Sequence, residues 1–368
     1  MNYVLFFILL LPFKGIMKLF HKKTGRNLVI QTAKIGDFIN ITPLLTHLNR
    51  SDALLSRTVA PLARHDVTLE QIWYTEDYAS SLFSKFRLAF QLLNRYDNIY
   101  LLHPNNLNLF YAAFCNGVNK QFLSTYRRKC YQAPFYFTAS GVVKHSRTSL
   151  TVESYLKLAD RRLTKESYAK HVTQPFYRAP LSVPALFDED VIKIGLSISA
   201  GNQAKTIPPR IWASLFASLR HLPCKFYIFG TPDEGHRLND LYAVIGKSDN
   251  IVSLIGELTL EAVPHAISLM DFYIASDTGN VYIADALNVP VVLIYGPCEV
   301  KEQRPLGDVL LIGPDNIVPS SWVFAARYEF DHPPEQLFAL NEPELKEINA
   351  FIQSRMPSRL LKKNQPFS

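Results

Sequence analysis

Short apolar runs recur through the second half of the chain, each followed by a stretch of helical length, and this alternation limits the possible folds more than any other feature. Residues 192–198 (IKIGLSI), 225–229 (KFYIF), 251–253, 272–275 (FYIA) and 291–295 (VVLIY) have the β-branched and aromatic content of strands. Between them, residues 210–220, 234–245, 260–268 and 281–287 carry helical periodicity. Five or so strands separated by helices predict an α/β fold with a doubly wound parallel sheet. The first half follows the same plan less regularly. Strands are expected at 27–31 (NLVIQ) and 98–102 (NIYLL), with helices over 38–48, 77–95 and 150–163. The length of 368 residues favours two domains, and the proline-bearing stretch 175–184 is the expected linker. The expected divisions are 1–26, 27–180, 188–340 and 341–368, the last a C-terminal helix and tail.

With 48% apolar and 19% charged residues, disorder and a polytopic membrane protein are excluded. Cys115, Cys130, Cys224 and Cys298 lie far apart, which rules out a disulfide framework or a cysteine-rich zinc site and suits a reducing cytosol. Charge is distributed unevenly. Residues 1–187 hold 24 Lys+Arg against 10 Asp+Glu, whereas residues 188–368 hold 15 against 22. A basic first half facing an acidic second half points to an anionic partner for the former: a membrane surface, a phosphorylated substrate or nucleic acid. No aromatic-basic RNA motif or zinc pattern supports the last of these.

Residues 3–13 (YVLFFILLLPF) would span about 16 Å as a helix, half of a hydrocarbon core of about 30 Å. Lys14, Lys18, Lys22, Lys23 and Arg26 follow. An apolar plug joined to a basic stripe suits an interfacial anchor on the cytoplasmic face of an anionic membrane, and the alternative is an apolar helix packed on its own domain. The order of charge and apolar run does not fit a cleaved signal peptide.

Ligands of doubly wound sheets bind outside the carboxyl ends of the strands, so the loops there carry the candidate chemistry. After the first strand come Lys34, Ile35, Gly36 and Asp37. Asp37 sits where a helix cap belongs, and it is equally a carboxylate able to take a proton from a sugar hydroxyl. At the end of FYIA stand Ser276, Asp277, Thr278, Gly279 and Asn280. Backbone N–H groups at a helix start, with Gly279 allowing close approach and Thr278 adding a hydroxyl, suit an anion. Asp277 reads as a helix cap or as an acceptor for ribose or sugar hydroxyls. Lys205, in a loop with Gly201, can reach a phosphate as a point charge, and Glu234 opens a helix where it could bond ribose hydroxyls. Gly296-Pro297 reads as a structural turn.

The segments 30–45 (IQTAKIGDFINITPLL) and 277–297 (DTGNVYIADALNVPVVLIYGP) together resemble the lipopolysaccharide heptosyltransferases of glycosyltransferase family 9. The resemblance runs from about Asn27 to Asp308. It implies a GT-B architecture, two Rossmann-like domains facing a central cleft, with the acceptor in the first and the nucleotide-sugar donor in the second. It further implies transfer of heptose from ADP-heptose with inversion, no metal and no cofactor. By this resemblance Asp37 is the catalytic base and Lys205 the donor-phosphate lysine. Gly201, Glu234, Asp277, Thr278, Gly279, Asn280 and Tyr282 fall in the donor site, and Lys34, Gly36 and Thr42 in the acceptor site. The chain departs from the family pattern at Tyr282, where a histidine is usual, at Lys205-Thr206-Ile207-Pro208 and at Cys298-Glu299-Val300. The expected partners are a nucleotide-sugar, a phosphorylated Kdo-bearing lipid A or core oligosaccharide, and the inner-membrane surface. Competing readings are a nucleotide-sugar epimerase or hydrolase of related fold, and a non-catalytic membrane-bound relative.

Overall fold

A computed structural model describes residues 3–172, 190–326, 330 and 332–356. The chain forms two compact units: Met1–Thr173 with Lys301–Gln303, and Gln174–Val300 with Arg304–Ser368. The expected linker at 175–184 lies outside the described residues.

The first unit runs α1 (Tyr3–Lys18), β1 (Asn27–Gln31), α2 (Ile35–Leu48), β2 (Ser51–Leu55), α3 (Ala60–Ala63), β3 (Leu69–Tyr74), α4 (Leu82–Leu92), β4 (Asn98–Leu101), α5 (Asn106–Phe114), β5 (Asn119–Ser124), α6 (Ala133–Tyr136), β6 (Gly141–Lys144) and α7 (Thr151–Ala159). Its six strands are ordered β3-β2-β1-β4-β5-β6. All pairings are parallel. Leu28, Val29 and Ile30 of β1 are fully buried, as a central strand covered on both faces requires.

Four strands of this sheet escape a reading of apolar runs because polar residues interrupt them. Asp52 in β2 is buried, but it accepts from Arg26 at 2.7 Å and from the Tyr96 hydroxyl at 2.6 Å. Lys120 in β5 is buried too, its ammonium donating to the carbonyls of Ala113 and Cys115 at the end of α5. Burial pulls this ammonium down to about 7. Tertiary partners thus satisfy groups that local propensity would place on a surface. The helix expected over 77–95 is shorter: a turn at Thr75–Tyr78 precedes α4, which begins only where Ser81 accepts from the Ser84 N–H at 3.0 Å. The helix expected over 150–163 likewise stops at Ala159.

The segment Lys301–Gln303 completes this unit. Glu302 is fully buried, and its carboxylate meets His145 Nε2 at 2.9 Å and the Tyr126 hydroxyl at 3.0 Å. Its carbonyl accepts from the backbone N–H and hydroxyl of Thr151.

α1 packs on α4, α5 and α6 through the ring pairs Phe6–Phe86, Phe13–Phe90, Tyr3–Phe110 and Phe7–Phe135. Phe7 is buried, a contribution of about 1.5–3 kcal/mol. Past α1, the backbone N–H groups of Thr24 and Gly25 and the His21 ring all bond Asp97. Away from these ring pairs α1 leaves Leu5, Ile8 and Ile16 exposed, Leu9 is exposed at the edge facing α4, and Leu19 and Phe20 are exposed just past the helix. The helix is therefore packed on its unit along one face and apolar on the other. Among the described residues no helix is long and apolar enough to cross a membrane.

The second unit runs β7 (Ile192–Ser197), α8 (Pro209–Leu219), β8 (Cys224–Gly230), α9 (Gly235–Ile245), β9 (Ile251–Ile255), α10 (Val263–Ser268), β10 (Phe272–Ala275), α11 (Gly279–Ala286), β11 (Val291–Ile294), β12 (Val309–Ile312), β13 (Ser321–Trp322), β14 (Ala325–Ala326), α12 (Pro334–Leu337) and α13 (Glu342–Ser354). β7 to β11 lie where the apolar runs place them, and β12 adds an unexpected edge strand. The order β12-β11-β10-β7-β8-β9 repeats the first sheet's topology. Ile194, Leu196, Phe226, Ile228, Phe272 and Ile274 form its core with Trp212 of α8 and Ile352 of α13. Gly296 has φ +51°, and a Cβ there would lie 2.3 Å from the Phe338 ring, so the turn at Gly296-Pro297 is structural.

Candidate functional site

In each sheet the strand order reverses beside the first strand of the unit, between β1 and β4 and between β7 and β10. The carboxyl ends of those four strands flank the topological switch points at which doubly wound sheets bind ligands.

In the second unit, Lys205 ends a short turn, Gln203–Lys205, that Asn202 caps by accepting from the Ala204 N–H at 3.0 Å. The turn brings Lys205 Nζ to 2.6 Å from Asp277 Oδ2, while the Tyr282 hydroxyl donates to Oδ1 at 2.6 Å and Cys298 Sγ lies 3.7 Å from Oδ2. Burial pushes the Asp277 carboxyl up, but Lys205, Tyr282 and Cys298 outweigh it and hold the group below the usual carboxylate range. Burial, with the neighbouring Asp277 charge, pushes the Cys298 thiol up to about 12, so it stays protonated as a donor.

Thr278, not Asp277, is the residue before α11, and each Asp277 oxygen has a partner within this cluster. Tyr282 is buried, so it acts on the site through Asp277. The Thr278 hydroxyl, in contrast, is buried with no hydrogen-bond partner among the described residues. It stands at the start of α11, beside the unsatisfied N–H groups of the first turn and the positive end of the helix dipole. Asn280 ties this start to β7, its Nδ2 donating to Ser197 Oγ at 3.2 Å.

Glu234 closes a turn at Pro232–Glu234 ahead of α9, where its carboxylate accepts from the Thr231 N–H at 2.7 Å and from the Ser199 hydroxyl. It links the loops after β7 and β8. A Cβ at position 230 would come within 2.6 Å of Glu234 Oε2, so Gly230 makes room for that carboxylate. Gly201 is exposed in the loop after β7.

In the first unit, Lys34 is the residue before α2, and Asp37 is the third residue of the helix rather than its cap. Its carboxylate is half-buried and accepts from the Lys34 backbone N–H at 3.3 Å. Burial and then the Asp37 charge drive the Tyr155 hydroxyl of α7 well above its ordinary range. Gly36 is buried and Lys34 exposed. Thr42 leaves the acceptor set: two turns into α2 it is fully buried, its hydroxyl donating to the Ile39 carbonyl and accepting from the His171 N–H.

The switch point adds residues that sequence reasoning missed. Thr32, after β1, holds His103 Nδ1 at 3.1 Å and Asn108 Nδ2 at 2.7 Å, joining the loops after β1 and β4. Burial presses His103 down to about 4, so its ring is neutral near pH 7. The run HPNN after the β4 strand was visible; that β4 neighbours β1 was not. Arg127, Arg128, Lys129 and Arg147 follow β5 and β6, in a stretch, residues 98–152, without one Asp or Glu.

The model of glycosyltransferase family 9 (heptosyltransferase) matches residues 86–312, more than half of the chain, beginning beyond the 30–45 motif. Among solved structures, the ADP-heptose lipopolysaccharide heptosyltransferase II of E. coli is 18% identical with a TM-score of 0.69, over 90% of this chain and 100% of that one. The E. coli heptosyltransferase WaaC, solved with ADP, is 16% identical with a TM-score of 0.62, over 90% and 99% of the two chains. A family 9 glycosyl transferase from Veillonella parvula is 16% identical with a TM-score of 0.65, over 79% and 86%. No curated protein sequence matches the chain. The paired six-stranded sheets are those of GT-B heptosyltransferases. The chain belongs to glycosyltransferase family 9, the heptosyltransferase family, and is a glycosyltransferase.

Proposed function

We propose that this glycosyltransferase moves heptose from ADP-heptose onto a phosphorylated lipopolysaccharide inner-core acceptor, with inversion and without a divalent metal. One observation carries the donor half: an ammonium, a buried hydroxyl with no partner among the described residues and a helix start converge at the β7/β10 switch point, in Lys205, Thr278 and the first turn of α11. These are donors for a diphosphate, and relatives of this fold were solved with ADP and with an ADP-linked fluoroheptose.

In this reading Asp37 takes the proton of an acceptor hydroxyl as that oxygen attacks the anomeric carbon. The bond from that carbon to the diphosphate oxygen breaks on the opposite face, and its electron pair leaves with ADP. Lys205, the Thr278 hydroxyl and the α11 N–H groups stabilise the added charge, the place a divalent ion takes in other transferases. Asp277 holds Lys205 in place and Tyr282 holds Asp277, so the histidine-to-tyrosine departure alters the support of the lysine. Glu234 accepts from the ribose hydroxyls, with Gly201, Gly279 and Asn280 shaping the donor loops. In the first unit, Lys34 and Gly36 border the acceptor, whose phosphates suit the basic stretch 98–152. The apolar face of α1, with the lysines that follow it, attaches the protein peripherally to an anionic membrane.

Calorimetry with ADP, GDP, UDP and CMP tests the donor assignment. ADP is expected to bind in preference to the other three. Lys205→Ala is expected to weaken ADP about 10- to 150-fold, the range of a lost hydrogen bond to a charged group. Equal binding by the variant would remove Lys205 from the phosphate site.

A further inference from the structure

α1 and α4 do not close against each other along their whole length. Between them lies a groove of about 710 Å³, walled by Phe6, Leu9 and Leu10 from α1 and by Phe83, Phe86 and Phe90 from α4, with Arg87 beside them. Leu9 is 65% exposed and Phe83 79%, so this apolar groove is built by two helices rather than one.

We propose that this groove takes an acyl chain of an anionic bilayer lipid, making α4 half of the membrane-binding site. The inference rests on the peripheral attachment proposed for α1 and names its partner at the level of the lipid tail. Charge selects this occupant. Residues 1–25 carry four lysines, Lys14, Lys18, Lys22 and Lys23, and no Asp or Glu, and α4 contributes Lys85 and Arg87, again with no carboxylate. A second copy of the chain placed on the same face would bring two such basic sets together with no countercharge, whereas a lipid supplies hydrocarbon for the phenylalanines and a phosphate for the cations. The basic and apolar components also supply the two signals that stable interfacial attachment needs.

Two measurements on the full chain test this. In sedimentation with vesicles of phosphatidylglycerol and phosphatidylcholine, the double variant Phe83→Asp with Phe90→Asp is expected to lower partitioning at least tenfold, with unchanged ADP binding. Phe83→Trp serves as a reporter: its fluorescence is expected to be quenched by lipids brominated on the acyl chain, beyond any quenching of the unsubstituted protein. If the unsubstituted protein sediments with vesicles but the α4 variant does so equally and the reporter is unquenched, the groove proposal fails while attachment through α1 stands. If the unsubstituted protein does not bind vesicles, both fail. Self-association abolished by the α4 variant, with no vesicle binding, would assign the face to a second copy instead.

Discussion

Asp37→Asn is expected to lower the rate of sugar transfer by about 10²- to 10⁴-fold, the range for loss of a positioned general base, while donor affinity stays within twofold. The substitution isolates proton transfer from folding. An asparagine carbonyl still accepts from the Lys34 N–H, so the first turn of α2 keeps its local bond. What the helix loses is one negative charge near its N-terminus, worth about 0.3–1 kcal/mol. Steady-state kinetics with a saturating acceptor, combined with a melting curve, separates the outcomes. A rate within threefold of the unsubstituted enzyme would deprive Asp37 of its role.

Glu302→Ala is expected to do the reverse, destabilising the first unit by about 3–5 kcal/mol through loss of one partner from a buried charged network. The His145 and Glu302 side chains are both 0% exposed, and the carboxylate serves the His145 ring and the Tyr126 hydroxyl together. Its removal takes the acceptor at Oε1 from both groups, while the His145–Ser154 bond at 2.8 Å engages the other ring nitrogen. For a unit of this size the melting temperature would fall by about 10 °C. Glu302→Gln, which retains an acceptor, should recover part of the loss. A shift under 1 kcal/mol in urea unfolding of Glu302→Ala would show that water or a rearrangement replaces the carboxylate.

How far the sequence discloses this molecule depends on where its polar residues are satisfied. Strands such as VVLIY are legible because parallel sheets bury both faces and select continuous apolar runs. β2 and β5 are illegible for the same physical reason inverted: Asp52 and Lys120 lie inside, satisfied by Arg26 and Tyr96 from distant positions and by carbonyls at the end of α5, none of which the strand residues themselves reveal. α2 begins at Ile35 although Lys34, a poor capping residue, precedes it, and this hid the three-residue advance over the expected start.

At the site, strand-end position made Asp37, Lys205 and Thr278 visible as candidates. The strand order that makes β1 and β4 neighbours was not encoded in any local pattern, so His103 and Asn108 went unnoticed. Asp277 was visible as a candidate too, though not as the partner of Lys205. As a residue before a helix it suggested a cap, and only the fold shows that it meets Lys205 from 72 positions away and Tyr282 from the next turn.

The glycosyl-transfer assignment faces its most direct test in a single product analysis. The full-length protein is incubated with ADP-heptose and a phosphorylated Kdo-bearing lipid A acceptor, and the anomeric proton of the new linkage is read by NMR. The expected result is one heptose added per acceptor, with configuration opposite to that in the donor and ADP released in equal amount. Retained configuration, free heptose or an epimerised donor sugar as the main product, or an untouched donor would contradict it.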